Sequence, residues 1–156
     1  MIAKTLTGIG FFDERYGGVY RGRSLLVSGR AGTGKTVMGL QFVRQGLAQD
    51  ERCLVLSTMA ANDLTICAEA LGFNFANDLD MGHLILLEYS SFVPGREVTA
   101  QTLLPPEGFD QLRQIMDANA VRRVVLDTVL PWVATPDADR LPDTIFPSSA
   151  HSTGWG

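Results

Sequence analysis

At 156 residues, 46% hydrophobic and 19% charged, the chain is long enough to bury the core of one domain and too apolar to stay disordered. Its net charge of -4 argues against a protein that coats nucleic acid by bulk electrostatics, although it leaves room for a local basic patch. The start Met1-Ile2-Ala3-Lys4-Thr5 carries no apolar leader, and no apolar run approaches the ~18 residues of a membrane span, so the chain reads as soluble and cytoplasmic with no membrane partner.

Residues 1–22 are rich in glycine and turn formers, with a short helix or turn expected at Phe11–Arg15. The apolar run Leu25-Leu26-Val27 predicts a strand over Arg23–Ser28. A helix from about Thr36 to Ala48 follows, with Val37, Leu40, Val43 and Leu47 on one face and Met38 and Phe42 beside it. Arg52–Ser57 predicts a second buried strand. Asn62 is suited to cap a helix running through Leu71, which turns Leu64, Cys67, Ala68 and Leu71 inward and stops at Gly72. A short helical piece at Phe75–Met81 and a third strand at His83–Glu88 come next. Beyond a loop with Pro94, Pro105 and Pro106, a helix over Gly108–Asn119 presents Phe109, Leu112, Ile115 and Met116 at helical spacing. Arg122–Asp127 then reads as a fourth strand ending in a carboxylate. Strands alternating with helices predict a parallel α/β sheet. After Thr135 the periodicity stops, so residues 1–135 read as the domain and 136–156 as an extended or disordered tail.

The run Gly29-Arg30-Ala31-Gly32-Thr33-Gly34-Lys35-Thr36 fills every fixed position of G-x-x-x-x-G-K-[ST], between a strand candidate and a helix candidate. The chemistry of that pattern is geometric. Glycines let successive backbone N–H groups point at one anion, and the positive end of the helix dipole faces the same spot. Lys35 would reach the β- and γ-phosphates of a nucleoside triphosphate, and the Thr36 hydroxyl would ligate Mg²⁺. Asp127, at the C-terminal end of a buried strand, is the natural second support for that metal ion, because ligands of open α/β sheets gather at the carboxyl ends of the strands. Cys53 and Cys67 have no C-x-x-C spacing and read as reduced core cysteines. His83 and His151 stand apart from any ligand cluster, so no metal beyond the nucleotide's Mg²⁺ is expected.

The pattern from Thr7 to Thr36, T-G-I-x-x-F-D-E…G-G-x-x-x-G-R-S-L-L-V-S-G-x-x-G-T-G-K-T, resembles the ATPase domain of the KaiC family within the RecA superfamily. The segments A-N-D-L…A-E-A-L-G-F and R-R-V-V-L-D-T are similar to it as well, and together the resemblance covers about residues 5–133. It implies a RecA-like P-loop three-layer sandwich with a mostly parallel central sheet, ATP and Mg²⁺ as ligands, and assembly into a homo-oligomer, a hexamer in that family. It also implies roles for Gly29, Gly32, Gly34, Lys35 and Thr36 on phosphates and Mg²⁺ and for Asp127 on Mg²⁺; Arg30, Ala31 and Thr33 complete the loop.

Two departures from the family stand out. The paired glutamates that activate water in the family fall just after the second strand, where this chain has Ser57-Thr58-Met59-Ala60-Ala61, and Thr128 follows Asp127. A positioned general base contributes 10²–10⁴-fold, roughly 3–5 kcal/mol of barrier, so weak or absent hydrolysis is expected. Asp63 is the nearest candidate base, and its place near a helix start also suits a dipole-complementing cap. The second departure is length: residues 136–156 resemble no part of the family, which reads as a sheet missing its C-terminal strands, one of which would lie between the P-loop strand and the Asp127 strand.

The leading expectation is thus an ATP·Mg-binding module for signalling or assembly. Its rivals are a competent ATPase in an oligomeric ring, using Asp63 or a neighbouring subunit, and a truncated remnant without independent function. A recombinase-like DNA-binding ATPase is disfavoured because the basic residues Arg21, Arg23, Arg122 and Arg123 are scattered and form no aromatic-basic platform. Phe11, Phe12, Tyr16 and Tyr20 could contact an adenine ring, although packing of the N-terminal segment on the sheet is the favoured explanation. Arg96 reads as a solvated loop arginine.

Overall fold

Five consecutive residues without a polar break at their centre, Cys53-Leu54-Val55-Leu56-Ser57, must find cover on both faces, and all five are buried. In the computed structural model, which describes residues 3–89 and 106–127, this strand is the middle of the main sheet. In chain order the elements are β1 (Lys4–Thr5), α1 (Gly10–Tyr16), β2 (Val19–Tyr20), α2 (Lys35–Leu47), β3 (Cys53–Ser57), α3 (Ala61–Ala70), α4 (Ala76–Asp80), β4 (Leu84–Glu88), α5 (Pro106–Ala118) and β5 (Arg123–Asp127). β1 and β2 form a two-residue antiparallel ribbon. The main sheet has the order β4-β3-β5, all parallel, with Cys53 opposite Leu84 and Arg123 and Ser57 opposite Glu88 and Asp127.

The alternation of β3 builds the layers. Cys53 and Val55 join Leu40 and Val43 of α2, Leu64 and Ala68 of α3, and Phe73 and Phe75 in one core. Leu54 and Leu56 face the other way, onto Leu112 of α5 and Tyr89, with Ile115, Met116 and Val124 alongside. Two helical layers around a parallel sheet are the RecA-like three-layer arrangement expected for the chain. Among the described residues no helix is long and apolar enough to cross a membrane.

Several local expectations need correction. Arg23–Ser28 is not a strand: Leu25 and Val27 are 52% and 39% exposed, and no described strand pairs with the segment. Its side chains suit a strand, but a strand exists only where a neighbour supplies the ladder. Asn62 does not cap α3; the preceding position is Ala60, without a side-chain cap, and the Ala61 N–H donates to Glu88 Oε1 at 2.8 Å instead. A carboxylate brought across from β4 serves the helix end, where negative charge is favoured. Leu71 is 39% exposed rather than inward, and Phe73 and Phe75 take the core space beyond Gly72; on α5, Phe109 is 49% exposed while Leu112 is buried. Cys67 is half-buried, whereas Cys53 is fully buried. The tail 136–156 and the loop with Pro94 and Arg96 lie outside the described residues.

Candidate functional site

The eight-residue loop meets α2 as the motif requires. Gly32 and Gly34 adopt φ of +78° and +89°, a conformation side chains resist, and Gly34 immediately precedes Lys35, the first residue of α2. A Cβ at either glycine would meet nothing within 4 Å, so the space in front of the loop is open. The first N–H groups of any helix have no acceptor within it, and here they end on that open space. Lys35 Nζ lies over its own loop, donating to Gly29 O at 2.8 Å and Arg30 O at 2.7 Å. Thr33 Oγ1 donates to Arg30 O at 2.9 Å and would stand 2.7 Å from a Cβ added at Gly29.

Thr36 and Asp127, 91 positions apart, meet directly: Thr36 Oγ1 donates to Asp127 Oδ2 at 2.7 Å. The strand ends hold this contact in place. Thr58 N–H donates to Asp127 O at 3.0 Å, and Met59 N–H to Ser57 Oγ at 3.0 Å, so the turn after β3 is tied to the end of β5. A hydroxyl and a carboxylate are the hard oxygen donors that Mg²⁺ takes, and they stand at the N-terminal end of α2, where a helix favours phosphate oxygens. The residues present therefore fit a magnesium nucleotide. Elsewhere among the described residues no three His, Cys, Asp or Glu side chains gather as a metal site. Asp63 lies exposed in the first turn of α3, the place of a charge that complements the helix dipole.

The N-terminal segment is anchored by polar groups that belong to no recognised motif. Asp13 accepts from the Thr7 N–H at 2.9 Å, the Thr7 hydroxyl at 2.8 Å and the Gly8 N–H at 2.8 Å, while Gln41 of α2 donates to Gly8 O at 2.8 Å. Burial pushes the Asp13 carboxyl up, but these hydrogen bonds and the charge of Arg123 outweigh it and hold its pKa below the usual value. Glu51 behaves alike: burial raises it, and hydrogen bonds and charge from Arg123 and Arg21 bring it below the ordinary carboxylate range. Burial pushes the Cys53 thiol up to about 12, the Arg123 charge only partly opposing it. Of the aromatic residues of this region, Phe12 makes a tilted ring contact with Tyr16 at 5.0 Å, and Phe11, Tyr16 and Tyr20 are exposed.

The sequence profile described as "ATPase: KaiC" matches residues 5–145. The chain belongs to the KaiC ATPase family. Among its relatives, the circadian clock oscillator protein KaiC of Synechococcus elongatus is 34% identical over 137 residues, 82% of this chain and 25% of that protein. The proteins of the same name from Acaryochloris marina and Parathermosynechococcus lividus are 30% and 32% identical over 131 residues each, again 82% of this chain. The chain spans about a quarter of the length of these KaiC relatives.

Proposed function

We propose that the chain binds ATP with Mg²⁺ on Gly29–Thr36, with Asp127 completing the metal site, and that it hydrolyses the nucleotide slowly or not at all. The observation that carries the reading is the 2.7 Å contact between Thr36 Oγ1 and Asp127 Oδ2, which aligns two oxygen donors beside the loop. Lys35 would leave the Gly29 and Arg30 carbonyls for phosphate oxygens, an exchange of one set of charge-assisted hydrogen bonds for a stronger one. Bound Mg²⁺ neutralises phosphate charge and fixes the triphosphate's orientation. ATP rather than another triphosphate rests on family membership.

Weak turnover follows from what stands at the end of β3. Thr58 and Met59 occupy the ground where a water-activating carboxylate is expected, and Glu88 on the neighbouring strand accepts from the Ala61 N–H as a helix cap. A homo-oligomeric signalling or assembly module is the corresponding role. Calorimetry with ATP, with and without Mg²⁺, tests binding, and turnover is measured on the same sample. Lys35→Ala should abolish binding; retained affinity in that variant refutes the reading. Efficient turnover that disappears in Asp63→Asn would instead establish a competent ATPase, and light scattering with and without nucleotide reads the assembly.

A further inference from the structure

Arg123 opens β5 and is 2% exposed, yet it carries a charge into the base of an apolar sheet. Its guanidinium is engaged on three sides. Nε donates to Glu51 Oε2 at 2.6 Å, Nη2 donates to Gln49 Oε1 at 2.8 Å, and Nη1 donates to Leu6 O at 2.7 Å and Phe42 O at 3.1 Å. The Phe42 ring lies 4.6 Å from the guanidinium carbon. Glu51 in turn accepts from Arg21 at 2.7 Å. The acceptors thus come from the N-terminal segment, from α2, and from the turn between α2 and β3.

Placement along the chain gives this network its meaning. α2 begins with Lys35 and Thr36 and reaches Phe42 roughly 9 Å further on, at 1.5 Å per residue. β5 begins with Arg123 and ends with Asp127, roughly 13 Å away at 3.3 Å per residue. The Thr36–Asp127 contact and the Arg123–Phe42 contact are therefore the two ends of one helix–strand interface, and Gly39 lies against Val125 between them, where an added Cβ would stand 2.9 Å from Val125 Cγ1. Burying an ion pair is a poor way to gain stability, since apolar side chains of equal volume often do as well. What the planar fork supplies is direction: bonds to several fixed oxygens select one sliding register of β5 against α2.

We propose that Arg123 is a positioning residue for the magnesium site, setting from the far end of β5 the register in which Asp127 meets Thr36. The inference rests on the proposed nucleotide reading. The test compares ATP affinity in excess Mg²⁺ and in chelator for the whole chain and for Arg123→Lys, which keeps the charge but loses the fork. The chelator affinity should stay near wild type, because Gly29–Thr36 lies wholly on the α2 side, while the gain from Mg²⁺ should fall by up to about tenfold, the lower end of the effect of losing a group bonded directly to a metal ligand. Glu51→Gln, which leaves Arg123 in place, is the second variant should Arg123→Lys fold poorly; it should lower the same ratio to a smaller degree. A folded variant of lower thermal stability that keeps the wild-type Mg²⁺ gain overturns the positioning role and leaves the arginine a structural group. A wild-type chain without any Mg²⁺ gain overturns the nucleotide reading itself.

Discussion

Replacing Gly46 by alanine tests how closely α2 is seated on the sheet. Gly46 is buried near the end of α2, and a Cβ there would stand 2.5 Å from Arg123 Cδ, 2.7 Å from Arg123 Nε and 2.8 Å from Cys53 Sγ. In an open helix the same change stabilises by about 1 kcal/mol, because alanine loses less conformational freedom on folding. Here each approach is far inside the ~3.5–4.0 Å of ordinary contact, and overpacking of this kind costs roughly 1–3 kcal/mol. Arg123 has little freedom to yield, since moving its Nε gives up the 2.6 Å bond to Glu51, and a hydrogen bond to a charged group contributes roughly 1.5–3 kcal/mol. The favourable helix term is therefore overcome, leaving a net destabilisation of about 2 kcal/mol, or a fall in Tm of about 4–8 °C for a domain of this size. Gly39→Ala, with a single 2.9 Å approach to Val125 Cγ1, should lie near neutral, and Gly10→Ala in α1, where a Cβ meets nothing within 4 Å, should not destabilise at all. Urea denaturation followed by far-UV circular dichroism gives the ranking. A Gly46→Ala chain as stable as wild type would mean that α2 stands further from β5 than described, and the argument for Arg123 would fail with it.

Three further outcomes are expected. Because the folded pKa values of Asp13 and Glu51 lie below the ordinary range, the unfolded chain binds protons first as pH falls; the stability these groups supply at neutral pH is lost from about pH 5 downward, and Glu51→Gln should flatten that acid slope in urea titrations at successive pH values. Cys53, fully buried with its thiol raised to about 12, should resist a disulfide reagent at pH 8 until the chain unfolds, while half-buried Cys67 reacts first; mass spectrometry of partly labelled chain assigns the site. Glu88→Ala removes the oxygen bonded to the Ala61 N–H and should cost about 1 kcal/mol, read as a lower urea midpoint, whereas Asn62→Ala should have little effect.

The elements legible in the sequence are those whose cause is local. Cys53–Ser57 and Arg123–Asp127 begin one residue inside the expected Arg52–Ser57 and Arg122–Asp127, and α2 begins one residue before the expected Thr36, because apolar strand runs and an amphipathic helix write their pattern into consecutive residues. The motif fixes the loop glycines and Lys35 for the same reason, as neighbours along the chain. Arg23–Ser28 carries an equally good apolar pattern, but pairing is a property of two segments, and its own residues do not hold the second. The cap on α3 comes from Glu88, 27 positions beyond Ala61, and outranks the local Asn62. Arg123 reads from the sequence as one of a scattered basic pair; only the folded chain brings Leu6, Phe42, Gln49 and Glu51 around it.

Binding and turnover also divide along that line. On the proposed reading, the groups that hold the magnesium nucleotide are the loop Gly29–Gly34, the start of α2 and the end of β5; Gly39 and Gly46 let α2 approach β5 closely, and Arg123 bonds across the same interface. A water-activating group would have to come from a third element, the end of β3. There the Thr58 N–H donates to Asp127 O and the Met59 N–H to Ser57 Oγ, so the turn is closed on itself and tied to the end of β5. Without a carboxylate at Thr58 or Met59 the α2–β5 contacts are still made, because none of them uses the side chains of that turn. On the proposed reading the chain therefore keeps Mg²⁺-dependent nucleotide binding while lacking a base's 10²–10⁴-fold contribution at that turn, and slow hydrolysis is the outcome expected of the turnover assay.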